Sequence, residues 1–423
     1  MSYSRRSFLR NLVAGAGAAS AVTSARAQEP ASPYGDWKPA PLLPPPGPMP
    51  AVFEAPDVPK LSFTVENGAK VFRLVAEPVK TEFMPGRPVD AWGFNGSMPG
   101  PTIEATQGDR VRIIVENRLP ELFAAHWHGL EVPPEIDGVP GLGIDPIPPG
   151  GSRTFEFTLH QHGTFFYHSH MAMQELMGLI GMFIIHPQKA YEPRVHRDFG
   201  LIWQGWSLLP NNTVPNTLAM EFNWLTINGK SGPATTPMIV KTGERVRIRL
   251  VNLSMDHHPI HLHGNTFYTV ATEGGRIPQV AWQPGNTVLV GVAQARDIEF
   301  DAVYPGDWMV HCHLPHHMMN QMGSRVRGET YPNTPLGEHA SMVGMSHAGM
   351  GQASPDAWKV KGYPQDMWMV MDDLIPPKPE NLGLRPGWSA AMMGMMTLVR
   401  VVDPPTYDRI MALKAAQPKG GRG

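Results

Sequence analysis

The chain is poor in three things. It has one cysteine, Cys312, a small share of charged residues, and beyond its N-terminus no apolar run long enough to cross a bilayer. A single cysteine excludes a disulfide framework. Acidic and basic residues nearly cancel, 37 against 35. That balance argues against a nucleic-acid partner or a charged membrane surface. A lone thiol in an exported protein must be buried as a small hydrophobe or held by a metal. What the chain has in quantity is Pro (45), Gly (43), Met (26) and His (18) over 423 residues. That length allows two or three domains. Short apolar runs between frequent turn residues point to an all-β protein.

The N-terminus reads Ser4-Arg5-Arg6-Ser7-Phe8-Leu9-Arg10, followed by an Ala/Gly-rich weakly apolar stretch and Ala25-Arg26-Ala27. An arginine pair, a short apolar segment and a small-x-small site in that order form a twin-arginine export signal over residues 1–27. A periplasmic or secreted protein is expected. Residues 28–59 are Pro-rich, with Pro44-Pro45-Pro46, and read as an extended lead-in without a core.

From about residue 60 the chain repeats itself once. Gly108-Asp109-Arg110-Val111-Arg112-Ile113 returns as Gly243-Glu244-Arg245-Val246-Arg247-Ile248, and His126-Trp127-His128-Gly129 as His261-Leu262-His263-Gly264, both 135 positions on. His168-Ser169-His170 returns as His311-Cys312-His313, 143 positions on. Several features at nearly one offset mark a domain duplication. Within each copy apolar and polar residues alternate, the period of half-buried strands. Two Greek-key β-sandwiches are predicted, over 60–190 and 195–330, followed by an irregular Met/Pro-rich extension over 331–423.

Four His-x-His pairs recur, at 126/128, 168/170, 261/263 and 311/313. Residues i and i+2 of a strand share a face, so each pair presents two imidazoles side by side. A fifth pair, His160 and His162, has no counterpart in the second copy and reads as supporting structure. In His311-Cys312-His313 the histidines face one side of the strand and the cysteine the other, so one strand serves two metal sites. A thiolate, two imidazoles and a weak axial methionine form the blue-copper set. His258, His317 and Met322 stand where they would complete it around Cys312.

The full pattern is His-x-His-Gly, His-x-His, His-x-x-His-x-His and His-Cys-His-x3-His-x4-Met. It resembles the multicopper oxidases, the laccase-like enzymes, over residues 90–330. The resemblance implies cupredoxin-like domains and four copper ions per active unit. It gives type 1 copper to His258, Cys312, His317 and Met322. Type 2 copper falls to His126 and His261. The type 3 pair falls to His128, His168, His170, His263, His311 and His313. His257 and His316 sit beside ligands but off the pattern. The places 135 or 143 before the type 1 ligands hold Phe123, Ser169, Gln174 and Leu179. The first domain therefore carries no blue copper, unlike the related copper nitrite reductases.

The resemblance further implies electron entry at the type 1 site, transfer through Cys312 to His311 and His313, and four-electron reduction of dioxygen to water at the three-copper cluster. Asp137 matches an acid that assists proton delivery in relatives, and it also reads as a plain turn residue before Gly138. Some relatives carry a second carboxylate directly after the last histidine ligand, where this chain has Met318. Two-domain relatives build the cluster between subunits, which implies a head-to-tail ring, a homotrimer. The resemblance implies a phenol or similar small molecule as donor; the alternative expectation is a protein that oxidises or sequesters Cu(I). Thioethers suit Cu(I). Met342, Met345 and Met350 with His339 and His347, then Met367, Met369 and Met371, then Met392, Met393, Met395 and Met396 crowd the C-terminal stretch. They read equally as a packing surface or a flexible tail.

Overall fold

Strand after strand in this chain alternates inward and outward residues, and two sandwiches result. The computed structural model describes residues 39–47, 50–209, 212–273, 275–318 and 370–417. In the first sandwich Ala69–Glu82 lies between Phe63–Glu66 and Arg110–Asn117, with Ser152–Thr158 beyond and Pro88–Phe94 alongside. The facing sheet runs Gly100–Thr106, Ile180–His186, Gly163–Ser169, Ala125–His128. Val111, Ile113 and Val115 point inward from Arg110–Asn117 and meet Trp127, Phe155, Tyr167 and Phe183 in one core. Arg112 points outward to Glu156 at 2.7 Å.

The second sandwich repeats the plan. One sheet carries Arg197–Trp206, Arg245–Asn252, Gln294–Asp301 and Phe267–Thr272. The other runs Met238–Lys241, Met396–Val402, Gly306–Cys312, His258–Leu262, Thr287–Val290. Here both faces of the repeated Arg-Val-Arg strand are buried. Arg249 binds Asp198 at 2.7 and 2.8 Å and reaches Thr164 of the first sandwich at 2.8 Å; Thr164 in turn donates to Asp297 at 2.7 Å. Beside this dry ionic cluster, Phe166, Ile180, Met182 and Ile184 of the first sandwich pack on Ile202, Val251, Leu253 and Ala295 of the second. The same repeated motif is thus a solvated face in one copy and an interdomain seam in the other.

Two expectations about the ends change. The Pro-rich lead-in has buried anchors: Phe53–Glu54 pairs with Arg197–Trp206, and Phe53, Ala55 and Val58 enter the interdomain core. The C-terminal stretch is not irregular throughout. Met396–Val402 is buried along its length between Met238–Lys241 and Gly306–Cys312, and helix Pro404–Ala416 follows, capped by Asp403. The second sandwich therefore does not end at 330. Burying Leu398, Val399 and Val401 contributes roughly 1.5–3 kcal/mol each. Met371, Met392, Met393, Met395 and Met396 are all buried, so for these the reading as a flexible tail is overturned. His339, Met342, Met345, His347, Met350, Met367 and Met369 lie outside the described residues.

Candidate metal centre

Strand Gly306–Cys312 pairs on one edge with His258–Leu262, setting Ile260 against Cys312 and His261 against His311. On the other edge His311 faces Met396. Alternation along the strand turns His311 and Cys312 to opposite faces. Cys312 is fully buried in the second core. His258 approaches it from the neighbouring strand and His317 from the short 3-10 turn Pro315–Met318. The three ligand atoms form a tight triangle. Cys312 Sγ lies 3.6 Å from His258 Nδ1 and 3.4 Å from His317 Nδ1, and the two nitrogens are 3.2 Å apart. A point equidistant from all three lies about 2 Å from each, a metal–ligand distance. Burial lowers the His258 pKa to about 3 and that of His317 to about 4, and pushes the Cys312 thiol up to about 12. Both imidazoles are thus neutral and ready to ligate, and a metal must displace the thiol proton. Met322 lies outside the described residues.

The paired histidines form two further groups. In the first sandwich the rings of His128, His168 and His170 stand 5.5, 5.2 and 5.3 Å from that of His126, and His128 Nδ1 is 3.3 Å from His168 Nε2. In the second, His263 Nε2 and His311 Nε2 are 3.0 Å apart, and the ring of His261 is 5.6 Å from those of His311 and His313. Backbone carbonyls orient the rings. Asp137 accepts from His126 Nδ1 at 2.7 Å, Asn286 from His261 Nδ1 at 2.8 Å, and Cys312 from His311 Nδ1 at 2.8 Å. Such bonds fix which nitrogen remains for a metal. Burial lowers the pKa of His128 and His311 to about 4 and of His168 to about 3. Among the described residues no ring contact joins the two groups, and His170, His263 and His313 are exposed.

Asp137 ends the helix Pro134–Asp137, and Gly138 follows at φ 90. A side chain at Gly138 would strike the Ala125 carbonyl, so glycine lets the turn lie flat on the histidine strand and bring Asp137 to His126. The Asp137 carboxylate stands 3.5 Å from His126 Nδ1. Glu175 was not foreseen. Its carboxylate lies 3.3 Å from His168 Nδ1, and burial raises its pKa to about 7. One signal existed: Glu175 stands 143 places before Met318, where the second carboxylate of some relatives was missing. The off-pattern histidines support structure. His162 contacts the Tyr191 hydroxyl, His257 accepts from the Val292 N–H, and His316 packs edge-on against His317.

The corner of the first sandwich that corresponds to the Cys312 triangle holds no ligand set. Ser169 donates to Gln174 Oε1 at 2.7 Å, Gln174 Nε2 donates to the Leu122 carbonyl at 2.9 Å, and Phe123 and Leu179 are fully buried.

Residues 76–190 and 208–330 each match a multicopper oxidase family model. A solved structure titled Blue Copper Oxidase, from Nitrosomonas europaea, aligns with TM-score 0.56 and 30% identity over 60% of this chain and 81% of that one. The chain belongs to the multicopper oxidase family. Among curated relatives it is 38% identical to a copper resistance protein A homolog of Pseudomonas syringae pv. tomato over 28% of this chain and 20% of the relative. It is 31% identical to Laccase-2 of Botryotinia fuckeliana over 50% of this chain and 40% of the relative. The chain spans less than half the length of either. Multicopper oxidases bind copper, and the donors present fit it: one buried thiol with two neutral imidazoles, and two groups of imidazoles without a sulfur donor. Among the described residues no helix is long and apolar enough to cross a membrane.

Proposed function

We propose that this protein couples one-electron oxidation of a small donor at a blue copper to four-electron reduction of dioxygen to water at a three-copper cluster. The carrying observation is the buried Cys312–His258–His317 triangle with His311 and His313 on either side of the cysteine. Copper supplies the one-electron steps and the site where dioxygen is reduced. His258, Cys312 and His317, with a methionine, would hold the type 1 ion. His126 and His261 would hold type 2; His128, His168, His170, His263, His311 and His313 would hold the type 3 pair. Cys312 is bonded through the backbone to both flanking histidines, a short path between the sites. Asp137 orients His126 through its carbonyl and keeps a carboxylate beside that ring, where it delivers protons. Asp137→Asn keeps the carbonyl contact and removes the acid. Roughly 10–100-fold slower oxygen uptake with the blue band intact is expected; an unchanged rate would leave Asp137 a turn residue.

Among the described residues no ring contact joins the two half-clusters, and each presents an exposed imidazole, which supports assembly between subunits. A head-to-tail ring of three chains would bring the first-domain group of one against the second-domain group of the next. Sedimentation of an active monomer would exclude this. Residues 1–27 carry the twin-arginine signal for export of the folded protein to the periplasm or beyond.

A phenol is the first candidate donor. Cu(I) is the second, favoured by one observation: Met392 and Met396 pack with Met309 and Met318 immediately beside the His317 turn. Oxygen uptake with a methoxyphenol and with Cu(I), in wild type and in a Met309→Leu/Met318→Leu variant, separates the two. Loss of Cu(I) turnover alone supports copper handling, and equal rates with Cu(I) reject it.

A further inference from the structure

The two copies differ in the link between the strand carrying Ser169 or Cys312 and the strand beside it. In the first copy, residues 170–179 connect Gly163–Ser169 to Ile180–His186. In the second, residues 313–395 connect Gly306–Cys312 to Met396–Val402. Each second strand of these pairs lies antiparallel to the first and parallel to an earlier strand, Gly100–Thr106 or Met238–Lys241. Ile180–His186 and Met396–Val402 are therefore equivalent.

Both links close with the same two backbone hydrogen bonds. Ser169 N–H donates to the Leu179 carbonyl at 3.0 Å, and Leu179 N–H donates to the Gln174 carbonyl at 3.3 Å. Cys312 N–H donates to the Met395 carbonyl at 3.1 Å, and Met395 N–H donates to the His317 carbonyl at 3.0 Å. Ser169 and Gln174 are the counterparts of Cys312 and His317, each at an offset of 143. Met395 is thus the counterpart of Leu179. A left-handed glycine precedes each, Gly178 at φ 112 and Gly394 at φ 60. Both side chains are fully buried, Leu179 in the first core and Met395 in the second core with Cys312.

We infer that Met395 supplies the axial thioether of the Cys312–His258–His317 site, the place that spacing alone gives to Met322, and that the ligand loop between His317 and Met395 carries an insertion relative to residues 174–179 of the first copy. The inference rests on the blue-copper reading of that site. Met395 is tied by its own backbone to two of the three ligands, so its side chain starts from the one position that the first copy fills with an inert leucine. A thioether there is a weak, soft ligand that sets the potential of the site.

The test uses the full-length, copper-loaded protein as wild type, Met395→Leu, Met395→Gln and Met322→Leu. Met395→Leu conserves volume and copies the residue of the first domain, so the fold is retained. Three quantities are read: the cysteinate-to-copper absorption band, the type 1 paramagnetic resonance signal, and the potential by redox titration. Met395→Leu should raise the potential, Met395→Gln should lower it because an amide oxygen stabilises the oxidised ion, and both should alter the resonance signal. Met322→Leu should change none of these. Shifts in Met322→Leu with none at position 395 would overturn the inference, as would no shift in any variant. A wild type that takes up copper without the absorption band would instead bring down the blue-copper reading itself, and this inference with it.

Discussion

The duplicated corner shows one fold position used in two ways. In the first sandwich Ser169 and Gln174 satisfy one another, Gln174 also donates to the chain, and Phe123 and Leu179 are buried in the core. In the second, Cys312, His258 and His317 crowd together with Sγ and the two Nδ1 atoms aimed at one point. A thiol and two neutral imidazoles converging inside a core are the donor set of a soft metal site. The strand pairing and the two closing backbone hydrogen bonds are shared, so the side chains decide whether the corner is filler or a metal site.

The sharpest way to break this comparison is Cys312→Ser, which places in the second corner the residue of the first. Blue absorption and oxygen uptake should fall to background while the circular dichroism spectrum is kept; a variant that stays blue would refute the ligand assignment. Next in size is a mixing experiment on the open groups. His170→Ala and His313→Ala chains should each be inactive alone. If clusters form between neighbouring chains, mixed and reassembled rings should recover about a quarter of wild-type oxygen uptake, since one interface in four joins two intact halves. No recovery would return the cluster to a single chain.

A smaller effect concerns acid. In the metal-free fold His258 and His317 have pKa values of about 3 and 4, against 6.5 when unfolded. Below pH 6.5 the unfolded chain takes up protons that the folded chain refuses, so stability falls as pH drops from 6.5 toward 4. The melting temperature of the metal-free protein should follow, and His258→Phe, the choice of the first corner, should flatten the slope. An equal slope in that variant would place the acid sensitivity elsewhere. Smallest is Gln174→Leu. Stranding the Ser169 hydroxyl and the Leu122 carbonyl should cost about 1–3 kcal/mol in denaturant melts with copper content unchanged.

Much of this was legible because the duplication wrote the strand pattern and the His-x-His pairs twice. The alternation in Arg110–Asn117 and the His-x-His spacing together carried the sandwiches and the ligand groups. Three features were not legible. Met396–Val402 lost its period of two because both of its faces are buried, and it lies far along the chain from the strand it pairs with. The lead-in hid Phe53 among prolines, and only the tertiary contact gives that residue meaning. Glu175 was marked only by its offset of 143 from Met318 and otherwise looks like a surface acid until the fold sets it against His168.

The strand Met396–Val402 also has a consequence in time. The first sandwich has all its strands once residue 186 has left the ribosome. The second lacks an interior strand until residue 402 emerges, and domains tend to fold in order of synthesis. Through that interval Cys312 waits in an unfinished sheet. A second cysteine would offer a metal ion a competing sulfur ligand while that pocket is incomplete. This chain has none, so the only thiol it makes reaches its pocket with nothing in its own sequence to pair with.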